Sequence, residues 1–173
     1  MRFCSIASGS SGNCIYVGSD NTHVLVDIGI SGKKMETGLN SLELTGRDLD
    51  GILITHEHSD HIKGLGVISR KYGIPIYATA GTVDAMVRTN ALGKIPEGIF
   101  HEIQEDEPFM INDLKVNPFT IPHDAAQPVG YRLEHEGHSV GIATDLGKYN
   151  DYIIENLQGL DALLLEANHD IRM

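Results

Sequence analysis

The run Gly51-Ile52-Leu53-Ile54-Thr55, followed at once by His56-Glu57-His58-Ser59-Asp60-His61, constrains this chain more than any other feature. Five uncharged, mostly apolar residues read as a strand buried in a sheet. The strand delivers three imidazoles and a carboxylate into the following turn, a position where catalytic metal sites are assembled. Imidazole nitrogen and carboxylate oxygen suit zinc, and manganese or iron accept the same donors. His56 and His58 are two residues apart, so extended backbone directs them to one side. A turn at Ser59 lets Asp60 and His61 face a second ion. A lone histidine here would read as part of a solvated loop, but four donors within six residues reverse that reading.

The pattern recurs along the chain. Thr120-Ile121-Pro122-His123-Asp124 ends another apolar strand, and His123 would complete a three-histidine site with an open position for water. Val140-Gly141-Ile142-Ala143-Thr144-Asp145 presents a carboxylate able to bridge two ions. Standing alone, Asp145 would read as a turn or N-cap residue. Asp27 ends Val24-Leu25-Val26; the favoured reading is that it accepts a hydrogen bond behind the donors and orients their loop, with a plain turn role as the alternative.

Strand-like segments fall at roughly 2–6, 14–18, 23–28, 51–55, 75–79, 114–120, 129–135, 138–144 and 161–166. Short connections near 3–28 and 114–144 suit antiparallel hairpins, whereas 62–72, 80–92 and 149–158 read as helices. Gly73 and Pro75 mark the end of the first helix. This is an α/β pattern of mixed sheets with outer helices. The 173 residues fit one domain over 1–173, and 41% hydrophobic content is ordinary for a packed core. Met173 comes seven residues after Glu166, which leaves the last strand without covering helices and implies a domain incomplete at its C-terminus.

Thirteen basic residues against twenty-four acidic ones give a formal charge of −11, which argues against a broad basic face for nucleic acid or an anionic membrane. An anionic substrate must then be attracted locally, as bound divalent cations do. Two cysteines, Cys4 and Cys14, make no disulfide framework and read as reduced and buried. There is no leader-like N-terminus and no run of eighteen apolar residues, so the expectation is a cytoplasmic protein that does not enter membranes. The Ser8–Asn13 loop reads as a hairpin loop; a phosphate-approaching backbone nest is the alternative. His23, His101, His135 and His138 carry no assignment.

Asp27, His56-Glu57-His58-Ser59-Asp60-His61, His123 and Asp145 together resemble the metallo-β-lactamase superfamily, in its order. The resemblance implies a four-layer αββα sandwich and two divalent ions. His56, His58 and His123 would hold the first, Asp60 and His61 the second, and Asp145 would bridge them. Ala7-Ser8-Gly9-Ser10-Ser11-Gly12-Asn13-Cys14 and Leu165-Glu166-Ala167-Asn168-His169-Asp170 are similar to the WalJ/YycJ group of bacterial members. That likeness implies a nuclease acting 5′→3′ on double-stranded DNA, with Glu166 in a proton relay. The superfamily carries one more histidine donor for the second ion well downstream of the bridging aspartate; this sequence departs from that pattern, and His169 is the less favoured substitute, the favoured reading being an incomplete second site.

The expected chemistry is phosphodiester hydrolysis by hydroxide formed from metal-bound water, whose pKa falls to about 7. Asp60 would orient the nucleophile or take its proton, and Glu166 or His169 would protonate the leaving oxygen. Two alternatives remain. The same centre could hydrolyse a thioester, lactone or lactam, or the chain could be a non-catalytic metal-binding fragment that self-associates as a homo-oligomer through an exposed sheet edge.

Overall fold

Short connections pair neighbouring strands antiparallel near both ends of the chain. The computed structural model describes residues 1–166. β1 (Arg2–Ala7), β2 (Cys14–Gly18) and β3 (His23–Val26) form an antiparallel meander. β4 (Gly51–Leu53), β5 (Ile76–Thr79) and β6 (Phe100–Ile103) then add in parallel to complete a six-stranded sheet. Parallel neighbours require crossovers. These are α1 (Gly32–Ser41), the pair α2 (Ser59–Ile62) and α3 (Leu65–Tyr72), and α4 (Ala80–Arg88).

The second sheet has the order β11-β10-β9-β8-β7, from β7 (Phe109–Ile111), β8 (Leu114–Thr120), β9 (Val129–His135), β10 (His138–Ala143) and β11 (Ala162–Leu165). Its pairs are antiparallel except β10 with β11, which α5 (Asp151–Leu157) connects as a crossover.

Alternation explains why the central strands are apolar throughout. Tyr16, Leu25, Ile52 and Ile54 pack with Met35, Leu39, Leu65, Ile68 and Met86 beneath the helices. Ile15, Val17, Val24, Val26 and Leu53 point the other way, into a core between the sheets with Val116, Tyr131, Leu133 and Ile142. On the far side Phe119, Ile121 and Ala143 pack against Ile153 of α5. The layers are therefore helices, sheet, sheet, helix. Each fully buried Leu, Ile or Val contributes about 1.5–3 kcal/mol.

Several boundaries differ from the sequence reading. The helix expected over 62–72 starts at Ser59 and breaks at Lys63-Gly64. Gly64 lies against the 28–30 segment, donating its N–H to the Ile28 carbonyl, and an added Cβ would stand 2.1 Å from the Ile30 carbonyl oxygen. Gly73 ends α3 in the left-handed conformation, φ 64°. The helices expected over 80–92 and 149–158 are shorter, ending at Arg88 and spanning Asp151–Leu157. α1, β6 and β7 were not legible: α1 buries only Met35 and Leu39, and β7 has three residues. Cys14 is buried, with a thiol pushed up by burial and by Asp27, but Cys4 is only half-buried and corrects the expectation for that residue. No described helix is long and apolar enough to cross a membrane.

Candidate metal centre

The ends of β3, β4, β8 and β10 bring Asp27, His56, His58, His61, His123 and Asp145 to one rim. Ring nitrogens of His56, His58 and His123 lie within 4.8 Å of one another, and those of His56 and His61 lie equally close to a carboxylate oxygen of Asp145. His56 belongs to both sets. Tetrahedral coordination places neighbouring nitrogens about 3.4 Å apart, and His58 Nδ1 stands 3.2 Å from His123 Nε2.

Hydrogen bonds behind the rim settle which nitrogens are available. Asp27 leaves β3 in the left-handed region, φ 61°, which aspartate tolerates better than most L-residues. Its Oδ1 accepts the Thr55 N–H at 2.8 Å and its Oδ2 the Thr55 hydroxyl at 2.7 Å. The carboxylate only accepts, so His61 Nδ1, 2.7 Å from Oδ2, is a donor. The Thr55 proton is committed to Asp27, so Thr55 Oγ1 accepts from His56 Nδ1 at 3.0 Å. His56 Nε2 therefore carries a lone pair. It is buried without a hydrogen-bond partner, 3.4 Å from Asp145 Oδ2. A metal-ligating histidine donates its other nitrogen to a neighbour in this way, so the residues fit a bound cation.

Charges are unevenly shared. Burial and the neighbouring His61, His123 and His58 hold His56 down to about 2, so it is a neutral imidazole. Burial also opposes charge on His61, but Asp27 and hydrogen bonds with Asp145 and Asp27 outweigh it and raise it to about 10. The hydrogen bond from His61, 2.8 Å to Asp145 Oδ2, holds Asp145 down at about 2 against its burial. A cation bound at His61 Nε2 would replace that proton.

Asp60 joins neither triplet. Its Oδ2 lies 3.5 Å from His61 Nε2, with the side chain 32% exposed. Glu166 follows β11 beside Asp145: its N–H donates to the Ala143 carbonyl and its own carbonyl accepts from Leu146. Its Oε2 is buried without a hydrogen-bond partner, and burial, then Asp145, push its pKa up. His169 lies outside the described residues.

Two contributors were missed in the sequence. Asn13 is buried, with Nδ2 3.3 Å from His61 Nε2 and its N–H donating to the Asp60 carbonyl at 2.8 Å. Its one sequence signal was its place in the Ser8–Asn13 loop, which is the hairpin loop of β1 and β2. Glu57, between two of the histidines, accepts the Ala126 N–H on Oε1 at 2.9 Å and so ties the His123 loop to the first motif. Thr79 and Gly81 hold the same loop through the carbonyl and side-chain oxygens of Gln127.

The chain is similar to known proteins in sequence and in fold. The chain is 40% identical over all 173 residues to exodeoxyribonuclease YycJ of Bacillus anthracis, covering 65% of that protein. It is 39% identical over the same length to exodeoxyribonuclease WalJ of Streptococcus pneumoniae, covering 64%. The chain thus spans just under two thirds of these relatives. The metallo-beta-lactamase fold protein YhfI of Bacillus subtilis superposes with a TM-score of 0.74 at 19% identity, over 94% of this chain and 66% of that one. Residues 22–172 match the beta-lactamase superfamily domain, and the chain belongs to that family.

Proposed function

We propose that this chain is the metal-binding portion of a phosphodiesterase that acts on nucleic acid, in its specific form a 5′→3′ exonuclease on double-stranded DNA. The observation that carries the reading is the lone pair of His56 Nε2, buried without a hydrogen-bond partner where the two donor triplets meet. His56, His58 and His123 would hold one divalent ion and Asp60 and His61 a second, with Asp145 serving both, zinc being the first choice for these donors. Such ions, when bound, polarise phosphoryl oxygens and make water nucleophilic near neutral pH.

The chain's own groups do the rest. Asp27 and Thr55 hold His61 and His56 in the tautomers that present Nε2 to the centre. Asp60, the more exposed carboxylate, would orient the attacking water or accept its proton. Glu166, whose pKa burial and Asp145 raise, would donate a proton to the leaving oxygen. The names of the YycJ and WalJ relatives favour DNA over a carbonyl substrate, and a DNA substrate fits a cytoplasmic location.

Elemental analysis, with hydrolysis of 5′-labelled duplex DNA, a simple phosphodiester and a thioester, tests this reading. Two metal ions per chain are expected, with shortening of the duplex from its 5′ ends that His58→Ala abolishes. Thioester turnover without DNA cleavage would favour the carbonyl alternative. Bound metal with no turnover would leave a metal-binding fragment.

A further inference from the structure

A nuclease built on a chain of charge −11 must neutralise substrate phosphates somewhere. Among the described basic residues, Lys71, Arg88, Lys115 and Arg132 are committed to ion pairs. Arg2 and Arg70 donate to backbone carbonyls. Lys33, Lys34, Arg47, Lys63, Lys94 and Lys148 are in neither class, and of these Lys33 and Lys34, at the start of α1, line one groove together. Its volume is about 660 Å³, and Ser11, Ile30, Ser31 and Thr37 share the lining. No described carboxylate lines it. Positive charge, hydroxyls and an apolar wall suit a phosphate with its attached sugar.

The Ser11 end of the groove connects to the histidines through Asn13. Ser11 is two residues from Asn13, and two residues of chain span at most about 7 Å. Asn13 Nδ2 is itself 3.3 Å from His61 Nε2. With the Asn13 side chain between them, Ser11 stands no more than about 14 Å from that nitrogen, within about four steps of 3.4 Å along one strand of DNA.

We propose that the groove between the Ser8–Gly12 loop and α1 is a subsite for a backbone phosphate of a bound nucleic-acid strand, a few nucleotides from the linkage held at the histidine centre. The inference rests on the nuclease reading above. Lys33 and Lys34 neutralise that phosphate, and the Ser11 and Ser31 hydroxyls donate to its oxygens. The subsite would set the direction in which a strand crosses the centre.

The test is binding of a fluorescein-labelled oligonucleotide to the manganese-supplemented chain by anisotropy across a salt series, with duplex cleavage measured in parallel. The proteins are the wild type, Lys33→Gln/Lys34→Gln, and Lys94→Gln/Lys115→Gln as a control of equal charge change away from the groove. Loss of one phosphate contact reduces the slope of log affinity against log salt by about 0.7–0.9. That reduction, with a raised KM for cleavage and unchanged metal content, is expected for the groove variant and not for the control. Unchanged binding in the groove variant, or an equal loss in the control, overturns the subsite while wild-type cleavage leaves the nuclease reading standing. A wild-type chain that binds and cleaves no nucleic acid overturns both.

Discussion

His61 and Asp145 are held from behind by fully buried groups, whereas His58 and His123 stand half-buried on the open side. Behind His61, at Nδ1, lie Asp27 and Thr55, with no exposure, and beside its Nε2 stands Asn13, with 1%. Behind His123 is a loop pinned through Glu57, Thr79 and Gly81 to neighbouring backbone. The difference separates two jobs. One side of the centre is part of the folding core, and its polar groups must be satisfied before any ion binds. On the other side the hydrogen bonds have water as an alternative partner, so losing one costs less there.

The largest test of this contrast is Asp27→Ala. It strands His61 Nδ1 and both donors of Thr55 in a fully buried place, at a cost of about 3–5 kcal/mol. His58→Ala should change stability of the metal-free chain by no more than about 0.5 kcal/mol. Denaturant titration of both variants decides it, and equal losses would break the comparison. Gly29→Ala comes next, because an added Cβ would lie 1.6 Å from the Asp60 carbonyl oxygen. Overpacking of this kind costs about 1–3 kcal/mol or more. Calorimetric metal titration should then show the His61 side weakened before the His58 side.

On the open side, Glu57→Ala releases the Ala126 N–H and should cost about 1 kcal/mol. It should also weaken metal binding at His56, His58 and His123 roughly 10-fold. Glu57→Gln retains an acceptor oxygen and should restore most of both. If neither variant alters metal affinity, the loop is positioned by Gln127 alone.

The smallest effect lies away from both sides. The Thr22 and Ser19 hydroxyls donate to Asp113 and hold its carboxyl below the usual carboxylate range. A folded value below the unfolded one, about 3.9, means this contribution is complete above that pH and is lost as pH falls through the folded value. Asp113→Asn should flatten the acid end of the stability profile, read from unfolding midpoints at successive pH values, by lowering its neutral plateau toward the acid-side value, which stays where it was.

Much of the fold was legible because strand alternation is a local property. β2, β8 and β9 run over the residues their apolar patterns marked, and the hairpins follow from short connections. α1 was not legible because its two buried side chains make too weak a stripe. The break between α2 and α3 was hidden because it arises from contact of Gly64 with the distant 28–30 segment.

By itself the sequence determined that donors stand at strand ends, since each lies immediately after an apolar run, and that the chain belongs among layered α/β proteins. Only the tertiary structure decided how the donors are shared. His56 joins both triplets, Asp60 stands apart, and Asn13 reaches His61 across 48 positions while His123 reaches His58 across 65. The physical reason is that hydrogen-bond direction and ring orientation depend on which backbones meet. That is settled by the packing of two sheets and by the burial of Asp27 beneath them, not by any local pattern of residues.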